Sequence, residues 1–290
     1  MIYIQDKRLT LRDGRCLAYA DNGNTSSKTV ILFLHGAFSV GDASRLTPVL
    51  QSKNTHLICP SLPGWGTSSP VADITKYART IAHDMSVLLS HLHPDLNHLK
   101  LYICGHSLGA VTARILYDSP YNLFSYGRCI SGLILLSPHP APHNHRDYAK
   151  HLSWLEYLVA GPPARYLPFN LTARVVKGAI QKKLKSEEDA LQFIRQWLFD
   201  PMKEDELERF MQWKEESEVE DGQFESCLAR NAMESVASTW QGFMDIAEVY
   251  HSGWSNSRRD EHREVPIKIL EGGHLSTLFR LDDVWRELLA

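Results

Sequence analysis

Residues 105–109 read Gly105-His106-Ser107-Leu108-Gly109, a serine held between two glycines in a G-x-S-x-G pattern. The apolar run before it (Leu99, Leu101, Tyr102, Ile103, Cys104) predicts a strand buried on both faces. Residues 108–117, rich in Ala, Leu and Ile and followed by Pro120, predict a helix. A strand that turns at once into a helix strains its central residue, lifts the serine Oγ clear of the sheet edge and aims helix N–H groups at it. Such a serine can attack a carbonyl carbon while those N–H groups hold the oxyanion. A turn serine in an ordinary α/β domain is the plainer alternative. Because a serine hydroxyl is a weak nucleophile at neutral pH, Ser107 needs an imidazole within hydrogen-bond reach. Of the 14 histidines, His274 fits best: it follows an apolar run at 267–270 and Gly272-Gly273, on a loop at the edge where the serine also opens. His35 also ends an apolar run and is the competitor for that role.

The elements that must position these side chains follow from the pattern. Residues 8–12 and 16–20 alternate around Asp13-Gly14, a hairpin signal. Continuous apolar runs at 29–34, 57–59, 99–104, 130–136 and 267–270 predict buried strands. Tyr77, Ile81, Met85, Leu88 and Leu92 recur at helical spacing over 74–92, and Leu281, Val284, Trp285 and Leu288 mark a terminal helix. A hairpin followed by strands alternating with helices implies an α/β fold, a mostly parallel sheet with helices on both faces. From Pro138 the character changes to proline-punctuated helical sequence for about a hundred residues with no convincing strand; Ser186 reads as a helix N-cap with Asp189 as its partner.

The strand–turn–helix around Ser107 resembles the nucleophile elbow of the α/β-hydrolase superfamily. The resemblance extends to His35-Gly36-Ala37-Phe38, similar to the family's oxyanion loop, to Gly273-His274 after the last strand, and to the glycine-rich turn at 62–68. It implies a core at 1–138, a helical cap at 139–240 and a returning core at 241–290. It also implies Ser107 as nucleophile, His274 as base, and the backbone N–H groups of Ala37 (Phe38 being the alternative) and Leu108 as oxyanion donors. His35 would then shape the oxyanion loop, and His106 would pack behind the elbow. The family carries its acid in a G-x-x-D context after the strand preceding the histidine strand, and Gly242-Phe243-Met244-Asp245 has that form. Residues 235–241, however, have little apolar content. On the rival reading, 233–254 belongs to the cap, the penultimate strand and its acid are missing, and Asp260 or Glu261 are the nearby substitutes.

Composition bounds the function. A net charge of −3 without a Lys/Arg cluster argues against nucleic-acid binding, and no run reaches transmembrane length. The absence of a signal-peptide core, together with five widely spaced cysteines, fits reduced thiols and a cytoplasmic protein. No zinc spacing, P-loop or dinucleotide motif is present, so no metal and no cofactor is implied. The expectation is a cofactor-independent serine hydrolase that cleaves an ester-type bond of a small, largely apolar substrate through an acyl-enzyme. Epoxide hydrolases and haloalkane dehalogenases are disfavoured because they need Asp at the elbow. The alternative is a hydrolase-fold binding protein, or a crippled enzyme with an incomplete triad. Trp154, Tyr157, Trp197, Phe210 and Trp213 suggest an aromatic lining in the cap, or simply its core.

Overall fold

The computed structural model describes residues 4–44, 46–143, 145–252, 265–270 and 272–290. The hairpin forms as β1 (Lys7–Thr10) and β2 (Cys16–Gly23), closed by Gly14 in the left-handed region at φ 84°. Next come β3 (Thr29–Leu34), α1 (Pro48–Ser52), β4 (His56–Pro60), α2 (Tyr77–Leu92), β5 (Lys100–His106), α3 (Leu108–Asp118) and β6 (Ile130–Leu136). The sheet closes with β7 (Ile267–Leu270), in the order β1-β2-β4-β3-β5-β6-β7. β1–β2 and β2–β4 pair antiparallel, and all other neighbours pair parallel. The parallel ladder is what makes the apolar runs continuous: Val30, Ile31, Leu32, Leu101, Ile103, Leu133 and Ile134 are all fully buried. It also sends the C-terminal ends of β3, β5, β6 and β7 to one edge, where His35, Ser107, Ser137 and His274 follow.

Helices cover both faces. α2 and α3 bury Ile81, Met85, Leu88, Val111 and Leu116 on one side; α1 and α12 (Leu281–Leu288) bury Val49, Leu50, Val284 and Trp285 on the other. Between β6 and β7 the chain forms α4 (Trp154–Ala160), α5 (Pro162–Tyr166), α6 (Leu171–Lys183), α7 (Glu187–Ile194), α8 (Glu204–Glu216), α9 (Gln223–Ala237), α10 (Gln241–Met244) and α11 (Ile246–Tyr250). Ser186 caps α7 by accepting from the Asp189 N–H, the pairing its sequence implies.

One expectation is corrected here. The strand expected before Asp245 does not form: residues 223–250 are helical almost throughout, and β7 pairs directly with β6 through Leu133↔Ile267 to Leu136↔Leu270. The helical stretch therefore runs past residue 240 to Tyr250. Among the described residues no strand stands between β6 and β7, and none pairs with the outer edge of β7. Asp260 and Glu261 lie outside the described residues.

Candidate active site

Ser107 stands at the junction of β5 and α3 with φ 52° and ψ −116°, a conformation that costs an L-residue strain. The crowding around it explains both glycines. A Cβ at Gly105 would come within 2.4 Å of the Gly109 carbonyl oxygen, and one at Gly109 within 2.1 Å of the Leu34 carbonyl oxygen. Gly36 is less tightly constrained, since a Cβ there would lie 3.2 Å from both the His106 ring and the Ser107 Cβ. The Ser107 N–H is fixed by the Leu136 carbonyl of β6 at 2.9 Å. Leu108 is the first residue of α3, so helix geometry gives its N–H no partner within the helix.

Two of the three histidines at this edge, His35 and His106, are buried and tied by their rings. His35 accepts the Leu62 N–H at Nε2 (2.9 Å), which puts its proton on Nδ1, 2.7 Å from the Gly36 carbonyl. Burial pulls its pKa down to about 4, so it is neutral and both nitrogens are engaged in shaping the 35–38 loop. His106 donates from Nε2 to the His274 carbonyl at 2.8 Å and packs its ring against that of His274, centroids 4.9 Å apart. Its ring therefore ties the elbow to the His274 loop, which is more than filling space behind the serine.

Among the described residues no strand flanks β7 on its outer side, and side chains hold the His274 loop. Glu206 of α8 accepts the Gly273 N–H at 2.5 Å, and Ser137 Oγ lies 3.3 Å from the Gly273 carbonyl and 3.0 Å from Thr277 Oγ1. Gly273 admits Glu206 only because it has no Cβ; one there would sit 2.2 Å from Oε1. His274 itself is half-buried, beside His106 and Trp197. Burial first, and then the neighbouring His106, hold its pKa below the ordinary histidine value, leaving it neutral and able to accept a proton.

Ser107, His274, Ala37 and Leu108 line one small cavity of about 50 Å³, room for no more than a few waters. The carboxylate lining that cavity is Glu156 of α4. Sequence reasoning missed it: its only signal is Ser153-x-x-Glu156, a capping box that the structure does form. Its Oε1 lies 3.2 Å from His139 Nε2. Burial raises the Glu156 carboxyl, but the hydrogen bond and charge of His139 outweigh it, keeping Glu156 ionised; its negative charge in turn acts to raise the pKa of His274. Asp245, by contrast, lies between α10 and α11 and accepts from Gln241 Nε2 at 2.7 Å. It is not among the residues lining the Ser107 cavity, and burial raises its pKa. Of the five cap aromatics, Trp197 alone lines that cavity; Phe210 and Trp213 pack with Phe224 and Phe279, while Trp154 and Tyr157 face outward.

A larger cavity of about 960 Å³ adjoins the small one and shares Ala37, Phe38, Trp197 and His274 with it. It runs between the 35–48 loop, α9 and α12, and reaches Ile31, Leu57 and Trp285. Among the described residues, no group of three or more His, Cys, Asp or Glu side chains is placed to hold a metal ion.

The model of the Alpha/beta hydrolase family matches residues 31–287. The chain belongs to that family. Structures of similar fold include the epoxide hydrolase CorEH (14% identity, 98% of this chain and 96% of that one, TM-score 0.55). Others are the thioesterase domain from the curacin biosynthetic pathway (15%, 99% and 99%, 0.52) and the esterase RhEst1 from Rhodococcus sp. ECU1013 (16%, 99% and 87%, 0.50). At such identities they show the fold of this alpha/beta hydrolase and no more. A search of curated proteins finds no match.

Proposed function

We propose that this alpha/beta hydrolase is a serine hydrolase that cleaves an ester-type bond of a largely apolar small molecule through an acyl-enzyme. The observation that carries the reading is the strained Ser107 at φ 52°, sharing a cavity with a neutral, half-buried His274. Ser107 Oγ attacks the carbonyl carbon as its proton passes to His274. The Ala37 and Leu108 N–H groups receive the developing oxyanion, an effect in which one donor is typically worth about 10²–10³ in rate. Collapse breaks the ester bond, and the leaving alkoxide takes the proton from His274. Water, deprotonated by His274, then attacks the acyl-enzyme and restores Ser107. An elbow serine argues against epoxide hydrolysis, which needs an elbow carboxylate.

In this reading the helices at 139–250 act as the cap, and one of them supplies the acid. Glu156, held ionised by His139, stabilises the imidazolium that forms on His274, the work first expected of Asp245. Replacing Ser107 with Ala should abolish hydrolysis of short p-nitrophenyl esters with folding intact, and His274→Ala should be nearly as damaging, because nucleophile and base act as a unit. Near-wild-type turnover in either variant refutes the assignment. A second reading, a binding protein on a hydrolase fold, is favoured by one observation: Glu156, the carboxylate lining the Ser107 cavity, is paired with His139. It predicts retained ligand binding and no Ser107-dependent turnover.

A further inference from the structure

We propose that the outer surface of α4, α5 and α6 is a docking face for an anionic lipid membrane. Of the twelve large hydrophobic side chains exposed among the described residues, seven fall between positions 154 and 175. Trp154 is 75% exposed, Tyr166 76% and Phe169 85%, and Leu167, Leu171 and Val175 are exposed on the same three mutually packed helices and their connection. Ordinary soluble surfaces scatter such residues singly; a cluster of this kind marks an interaction site. Phe169 and Asn170 hold φ of 60° and 51°, so the connection between α5 and α6 bears left-handed strain at two non-glycine residues while pointing an aromatic ring into solvent.

The charge around the patch selects the occupant. The sequence has no compact Lys/Arg cluster, but spread over residues 146–185 are eight Lys or Arg against two Asp or Glu, a net of +6 in a chain whose total is −3. This stretch ends before the exposed Glu187, Glu188 and Asp189 that open α7. Arg146, Lys150, Arg165, Arg174, Lys182 and Lys183 are all exposed. Aromatic rings that bury in a headgroup layer, rimmed by cations that meet acidic headgroups, are the chemistry of an interfacial helix surface. A second copy of this chain fits less well, since a twofold contact through the patch would set two +6 surfaces against each other. No helix among the described residues is long and apolar enough to cross a membrane, so the contact would be peripheral.

α4 is amphipathic in the required sense. Trp154 and Tyr157 face outward, while Leu155, Glu156, Val159 and Ala160 line the Ser107 cavity from the other side. Docking therefore places the lipid surface one helix away from Ser107. If the serine-hydrolase reading holds, its substrate class is a lipophilic ester drawn from the bilayer; the docking itself does not depend on that reading.

The test is cosedimentation of the full chain, carrying Ser107→Ala, with vesicles of phosphatidylcholine alone or mixed with phosphatidylserine. Strong binding to the mixed vesicles that falls with added salt is expected, with weak binding to phosphatidylcholine. Phe169→Glu should weaken binding about tenfold or more, and Lys182→Glu/Lys183→Glu should weaken it and flatten the salt dependence. In the otherwise wild-type enzyme, Phe169→Glu should leave turnover of a soluble ester unchanged, which separates lost docking from lost folding. No binding to either vesicle overturns the proposal, as does binding indifferent to both variants. A wild-type dimer that Phe169→Glu dissociates, with no vesicle binding, assigns the patch to self-association instead.

Discussion

Replacing Gly109 with Ala tests whether the elbow is built as described. The added Cβ would lie 2.1 Å from the Leu34 carbonyl oxygen and 2.6 Å from that of His35. Both are backbone atoms at the end of β3, so no side-chain rotation relieves the clash. A tolerable carbon–oxygen contact is about 3.3 Å, so α3 and the 34–36 backbone must separate by about 1 Å. Overpacking of this kind costs about 1–3 kcal/mol of stability. The displacement also moves Ser107 and Leu108 away from Ala37, and a misplacement of about 1 Å at reacting groups costs on the order of 10² in rate. The assay is kcat/KM on a short p-nitrophenyl ester alongside urea unfolding. Gly178→Ala is the control: a Cβ there meets nothing within 4 Å in exposed α6, so about 0.5–1 kcal/mol of stabilisation and unchanged turnover are expected. Wild-type turnover and an unmoved urea midpoint in Gly109→Ala would refute the packing argument.

Two further outcomes concern the charges near His274. Glu156→Gln should lower kcat at least tenfold, while Asp245→Asn, which loses only a bond to Gln241, should change it by less than about twofold; the reverse order would restore Asp245 as the acid. The pH profile of kcat/KM should have its acid limb below 6.5, because burial and His106 depress His274 and keep it a neutral base as pH falls. Glu156 acts to raise that pKa, so Glu156→Gln should move the limb further down, and a limb at or above 6.5 in the wild-type protein would contradict the burial argument.

Local structure is legible in the sequence where backbone sterics dominate. The limits of β6 and β7 agree with their apolar runs, and Gly105 and Gly109 serve the close approach their positions implied. His35 has both ring nitrogens engaged in shaping the 35–38 loop, the place its His-Gly context after β3 implied. The missing strand before Asp245 has a physical reason: G-x-x-D specifies four residues and no strand, and residues 223–237 obey helical periodicity, burying Phe224, Ala232 and Val236 on one face. Glu156 and Glu206 were illegible because each reaches its place through long-range packing, from helices many residues distant from Ser107 or Gly273. The exposed aromatic residues at 154–169 look like core in sequence, since periodicity fixes a helix face but not what covers it.

The most direct measurement is labelling with a fluorophosphonate, followed by intact mass and peptide mapping. A serine activated by a neutral imidazole should take up a single adduct, located on the peptide containing Ser107 and absent from Ser107→Ala and, at equal exposure, from His274→Ala. An unlabelled wild-type protein, or an adduct that persists in Ser107→Ala, would contradict the claim that Ser107 is the nucleophile of this alpha/beta hydrolase.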